Sequence, residues 1–280
     1  MNEIKDKNRH ILVPFDFSAA AENALKHGLK ICYALKSNLA LCYFHNTKDT
    51  ETEKKEVKDK LGNICAALMQ EHQINITAFV PTGKLNKLLS PLSEKIEAVM
   101  VVFGFEGEKF IFQWSLTKVL RNLRKSRIPF LTVPVSAVPK EYTHIILPIN
   151  YMKGTKEKII WASYFSRLNQ STIHVIVPKA KDGNLRLGVK NNIDFLKKNY
   201  KTLNVYYKKF QTDVSINKID KFSVCYAVEH NADSVLALAT NNIDIFDVLF
   251  GTKERKIILN EFMIPVLCIN PRNDMYVLCA

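Results

Sequence analysis

His10-Ile11-Leu12-Val13-Pro14-Phe15-Asp16 is echoed later in the chain by His144-Ile145-Ile146-Leu147-Pro148-Ile149-Asn150. The two runs start 134 residues apart, at positions 10 and 144. A second pair repeats at nearly the same spacing. Ile128-Pro129-Phe130-Leu131-Thr132-Val133-Pro134 matches Ile264-Pro265-Val266-Leu267-Cys268-Ile269-Asn270-Pro271, and the starts lie 136 residues apart. Two apolar, proline-marked runs at a constant offset indicate a tandem duplication of one domain of about 140 residues, an ordinary domain size. The expected boundaries are 1–138 and 139–280. The junction falls between Ser136 and Tyr142, too short for the halves to wander, so they are expected to pack together.

Each half reads as alternating strands and helices. His10–Phe15 is a short apolar run of buried-strand type, and Ala19–Leu35 carries Ala20, Ala24, Leu25, Leu29, Cys32 and Leu35 at helical spacing. Ser18 stands where an N-cap belongs. Strand Leu39–His45, helix Asp49–His72, strand Ile74–Val80, helix Leu85–Ile96 and strand Val99–Phe103 follow. Gly104–Gln113 reads as loop, Ser115–Ser126 as helix and Phe130–Val135 as strand. Pro91 is expected near a first turn or a kink. The second half repeats the order with strands at Ile145–Ile149, Thr172–Val177, Asn204–Phe210, Ser234–Ala239 and Val266–Ile269. Helices fall at Thr155–Leu168, Leu187–Tyr200, Ile216–His230 and Thr252–Asn260. Such alternation implies two α/β domains, each a five-stranded parallel sheet with helices on both faces.

Composition narrows the classes. No apolar run reaches the roughly 18 residues of a membrane span. Met1–Arg9 is polar, with no apolar stretch of signal-peptide type behind it, so a cytoplasmic protein is expected. The six cysteines are scattered and suit a reducing compartment. The net charge of +13 is shared by the halves. Residues 1–140 hold 21 Lys+Arg against 14 Asp+Glu, and residues 141–280 hold 19 against 13. Lys118, Arg121, Arg124, Lys125 and Arg127 form one local basic cluster, read as a solvated helix face. The sequence shows no zinc-finger or RNA-recognition signature, so nucleic acid is the least favoured partner. It shows no catalytic triad, Walker lysine loop or metal-ligand histidine spacing either.

Ligands of open parallel sheets bind beyond the carboxyl ends of strands, where strand order reverses. Three loops leave such ends in the first half: after Pro14, after Phe44 and after Phe103. The last runs Gly104-Phe105-Glu106-Gly107-Glu108-Lys109-Phe110-Ile111-Phe112-Gln113-Trp114-Ser115-Leu116-Thr117. Glycines there admit backbone N–H groups to phosphate oxygens, and hydroxyls at a helix start add donors.

Ile11-Leu12-Val13-Pro14-Phe15-Asp16-Phe17-Ser18, Gly83 after the third strand, Gly104-x-x-Gly107 after the fourth, and the Ile-Pro before the last strand resemble the universal stress protein family. The resemblance covers nearly the whole chain as two copies. It implies flavodoxin-like domains that pair through their last strands into an intramolecular pseudo-dimer, with regulation and not turnover as the role. Family members that bind ATP use the strand-one Asp and nearby Pro for adenosine and a G-x2-G-x9-G-[S/T] pattern for the phosphates. Pro14, Asp16, Gly104 and Gly107 match. The pattern's end is met by Trp114-Ser115 after a shortened spacer, with Trp in place of Gly. In the second half Asn150 replaces the Asp and the glycine pair is lost, but Gly251-Thr252 keeps the pattern's end.

The resemblance therefore implies a weak single ATP site in the first half, with Mg2+ accompanying the triphosphate. Its candidate residues are Pro14, Asp16, Phe44, Gly104, Gly107, Ser115 and Thr117, with Gly251 and Thr252 as second-half remnants. Lys109 would add positive charge. The alternative is a nucleotide-free stress-response scaffold acting through protein contacts, with an unidentified partner or further self-assembly. A basic nucleic-acid-associated protein ranks below both. No catalytic residue or bound metal site is expected.

Overall fold

A computed structural model describes residues 9–107, 109–110, 112, 114–115, 123, 128–180, 182–239 and 253–270. Its contacts divide the chain into two compact units, Met1–Pro139 and Lys140–Ala280.

The first unit is built on β1 (His10–Pro14), β2 (Asn38–Cys42), β3 (Ile76–Phe79), β4 (Ala98–Glu106) and β7 (Phe130–Pro134), with the short strands β5 (Lys109–Phe110) and β6 (Trp114–Ser115) between the last two. The long strands lie in the order β3-β2-β1-β4-β7, all parallel. Order reverses between β1 and β4, so the switch point lies beyond Pro14 and Glu106. After His10, β1 is apolar because both of its faces are covered. Ile11, Leu12 and Val13 are fully buried.

Among the described residues this unit has the helices α1 (Ala19–Leu35), α2 (Glu51–His72) and α3 (Leu85–Lys95). Ser18 caps α1 as its sequence position requires, its hydroxyl accepting from the Ala21 N–H at 3.2 Å. Thr50 and Glu53 close a capping box on α2. Pro91 sits inside α3, not near its first turn. Asn23 fastens α1 to the far side of the sheet. Its amide donates to the carbonyls of Pro134 and Ala137, both at 2.9 Å.

The second unit repeats the plan with β8 (His144–Pro148), β9 (Thr172–Lys179), β10 (Tyr207–Ser215), β11 (Ser234–Leu238) and β12 (Val266–Ile269), in the parallel order β10-β9-β8-β11-β12. Its helices among the described residues are α4 (Thr155–Asn169), α5 (Gly183–Leu203), α6 (Ile219–Glu229) and α7 (Lys253–Ile258). Both units are doubly wound α/β domains of flavodoxin-like class.

Two sequence expectations need correction. Gly104–Gln113 is not a loop, since β4 runs on to Glu106 and turns back through Gly107 into β5, which pairs antiparallel with β6. Ser115 does not open a helix. It lies in β6, opposite Lys109. The apolar residues of this stretch pair as a small ribbon instead of joining a helical face. Most of the rest of the expected helix, Leu116–Asn122 and Arg124–Ser126, lies outside the described residues, as does the basic cluster Lys118, Arg121, Arg124, Lys125 and Arg127.

Cys32, Cys42, Cys65 and Cys268 are buried, as core hydrophobes are, while Cys225 is half-buried. Among the described residues no helix is long and apolar enough to cross a membrane.

Candidate functional site

The first unit's switch point is organised by one carboxylate. Asp16 follows β1, and both of its oxygens are engaged. Oδ1 accepts from the Ser18 hydroxyl at 2.5 Å and the Ser18 N–H at 3.1 Å. Oδ2 accepts from the backbone N–H of Phe112 at 2.6 Å, a short, charge-assisted bond across 96 positions of sequence. The carboxylate thus clasps the start of α1 and the segment between β5 and β6.

The two clasped segments each carry an aromatic residue in left-handed backbone conformation, Phe17 at φ +62° and Phe112 at φ +56°. For bulky residues this is an outlier that costs about 1 kcal/mol or more apiece. Ring contacts hold them there. Phe17 lies 5.2 Å from the Phe15 ring and 5.7 Å from Tyr43. Phe112 lies 5.5 Å from Tyr43 and 6.0 Å from Phe44, edge-on to both. Lys60 stands over Phe17, its Nζ 5.3 Å from the ring centre.

Beyond β2 the seat is acidic. His45 is buried, and its Nδ1–H donates to Asp49 Oδ2 at 3.1 Å. The other ring nitrogen, Nε2, is buried without a hydrogen-bond partner among the described residues. The Tyr43 ring is 5.0 Å from His45. Burial, then the charges of Asp49, Asp16 and Glu53, push the Tyr43 hydroxyl above its ordinary range.

The matched glycines serve the fold. Gly104 lies inside β4 against α1, and a Cβ there would stand 1.9 Å from the Ala20 carbonyl oxygen and 2.4 Å from its carbon. Its missing side chain is what lets helix and strand meet. Gly107 has φ +57° at the β4–β5 turn, with open space where a Cβ would go. Pro14 is buried at the end of β1. Ser115 is exposed on β6. The structure therefore brings Asp16 and Phe44 together, through Phe112, and uses the two glycines for packing and turning. Thr117, Gly251 and Thr252 lie outside the described residues. The remaining positions of the phosphate pattern, from Leu116 to Asn122, lie outside the described residues.

The second unit closes its equivalent position differently. Asn150 Oδ1 accepts from the Met152 N–H at 2.9 Å and from the Thr155 hydroxyl, and the Asn150 carbonyl accepts from Asn192 at 2.7 Å. Beneath it Lys158 is wholly buried, its ammonium donating to the Pro148 carbonyl at 2.7 Å. Burial pulls its pKa down to about 8, with Asp220 opposing. The unfolded chain keeps that proton to about pH 10.5, so stability rises with pH between 8 and 10.5. We expect unfolding free energy to gain about 3 kcal/mol over that window relative to Lys158→Met, which lacks the titration. Parallel denaturant curves at pH 8 and 10.5 check this.

Sequence reasoning missed Phe112, Phe17, Tyr43 and the His45–Asp49 pair. Only the aromatic density of Phe15, Phe17, Tyr43 and Phe44 could have signalled the seat. Among the described residues no His, Cys, Asp and Glu cluster is arranged to hold a metal ion.

No protein-family model matches the sequence, and no curated protein matches it. Solved structures do. A universal stress protein from Archaeoglobus fulgidus DSM 4304 matches with TM-score 0.70 over 94% of this chain and 98% of that one, at 14% identity. The fold is that of the universal stress proteins. A functionally unknown protein from Pseudomonas aeruginosa PAO1 shares it at TM-score 0.61 and 13% identity, over 94% of this chain and 92% of its own. At such identities it is the universal stress protein fold that is common, and the site residues stand on their own geometry.

Proposed function

We propose that this chain is a tandem member of the universal stress protein family with a regulatory role exercised through protein contacts, and that it does not turn over a substrate. The observation that carries this reading is the Asp16 clasp. The carboxylate that a ligand's hydroxyl groups would need is already bonded to Ser18 and to Phe112. The pseudo-dimer of the two halves, a cytoplasmic setting and an unidentified protein partner belong to the same proposal.

ATP with Mg2+ at Pro14, Asp16, Phe44 and the glycine turn is the reading this one displaces. It would have to break the clasp and move the Phe112 ring. A calorimetric titration of the unmodified chain with ATP and Mg2+ tests the choice. No saturable heat is expected up to millimolar nucleotide. Saturable binding near one per chain, abolished in Asp16→Ala, would restore the nucleotide reading.

A further inference from the structure

We propose that His144, His174 and His230 form an acid-operated latch in the second unit, one that holds the end of α6 on the sheet at neutral pH and releases it when the cluster takes up protons.

The three rings come from different elements and meet near the amino ends of the strands. His144 opens β8, His174 lies on β9, and His230 follows α6. His144 Nδ1 stands 3.1 Å from His174 Nε2. His174 Nδ1 lies 3.5 Å from the Tyr226 hydroxyl. The His230 ring stacks on Tyr226 with centroids 3.8 Å apart, and its Nδ1–H donates to the Tyr226 carbonyl at 3.0 Å. His174 is buried, His144 half-buried and His230 exposed, so the cluster reaches from core to solvent. The duplication shows that the fold does not require it. In the first unit Ala40 holds the register position of His174, and His10, the counterpart of His144, bonds to the Ile96 carbonyl at 2.9 Å instead.

The proton count makes the cluster a switch. Two ring nitrogens at hydrogen-bond distance share one proton, one donating and the other accepting. A neutral His174 donates on one side and accepts on the other, so the chain His144–His174–Tyr226 is complete without charge. Protonating both His144 and His174 sets two N–H groups and two positive charges against each other. The surroundings give no relief. Lys208 on β10 and His230 after α6 both act against a charge on His174. Asp233 accepts from the His144 backbone N–H at 2.9 Å, not from its ring, and Glu229 acts on the Tyr226 hydroxyl. Among the described residues no carboxylate pairs with any of the three rings. Burial, then His144, His230 and Lys208, lower the His174 pKa from 6.5 to about 4. The closed cluster is therefore fully favoured above pH 6.5 and loses ground as the pH falls towards 4.

Release also uncovers an apolar surface. Tyr226 packs on Phe210 at 5.2 Å and on Phe222 at 6.3 Å, and the Phe210 and Phe222 rings are stacked. Lifting the end of α6 opens this aromatic layer to solvent.

The test is a histidine-ring NMR titration of the full chain with amide exchange followed in parallel. His144 and His174 should take up protons in one concerted step. Protection of the Tyr226–Glu229 amides should fall by about tenfold or more between about pH 6.5 and 4.5, while β11 and β12 keep theirs. His174→Phe keeps a ring between His144 and Tyr226 but cannot titrate, so the fall should vanish in it. Separate titration steps with α6 protection unchanged would overturn the latch. An equal fall in His174→Phe would overturn it too, and so would loss of protection throughout the second unit in place of α6 alone. Should His174→Phe not fold, His174→Ala installs the residue type that the first unit uses, and the same loss of pH dependence is required of it.

Discussion

Gly104→Ala should destabilise the first unit by about 3 kcal/mol or more, the upper range for overpacking a rigid contact. The new methyl would meet backbone, the carbonyl of Ala20, at 1.9 Å, and backbone at a helix start cannot rotate aside as a side chain can. Either α1 moves off β4 or the unit does not fold. Gly107→Ala is the matched control. Its Cβ has open space, but the residue keeps φ +57°, so the cost should be about 1 kcal/mol. Denaturant curves of both variants check the pair. A Gly104→Ala protein as stable as the unmodified one would mean that the glycine does not serve packing.

Acidification should cost the first unit about 3 kcal/mol between pH 6.5 and 4 through His27. This residue is buried on α1, with Nε2 3.3 Å from the Ala137 carbonyl. Burial lowers its pKa to about 4, with the carbonyl opposing. The sign follows from the proton count. In this window the unfolded chain binds the proton and the folded one does not, so stability is fully present above pH 6.5 and lost progressively down to pH 4. His27→Gln should flatten that loss in unfolding curves at pH 7 and 4.5. The second unit carries a similar group, His174, lowered to about 4 by burial and by His144, His230 and Lys208. An acid transition should therefore survive in His27→Gln but shift to the second unit.

Much of the fold was legible because its signals are local. Continuous apolar runs such as His10–Pro14 and Val266–Ile269 mark strands buried on both faces, and Ser18 and the spacing from Ala20 to Leu35 mark a capped helix. The duplication exposed the two-unit plan before any element was placed. The site was less legible. Gly104-x-x-Gly107 has the same spacing whether it admits phosphate or admits a helix, and only the distance to Ala20 separates the two. Phe112 reads as one apolar residue in a loop until β5 and β6 pair and carry it back to Asp16. That contact spans 96 positions and leaves no periodic trace. Asp16 is legible as a carboxylate just past β1, and its hydrogen-bond partners, Ser18 and Phe112, are internal.

The most direct test of the closed site is solution NMR of the unmodified chain. The account predicts cross-peaks from the Phe112 ring to Tyr43 and Phe44, a Phe112 amide protected from exchange, and no shift of these signals on adding millimolar ATP with Mg2+. An unprotected Phe112 amide without those cross-peaks, or shifts that saturate with nucleotide, would contradict it.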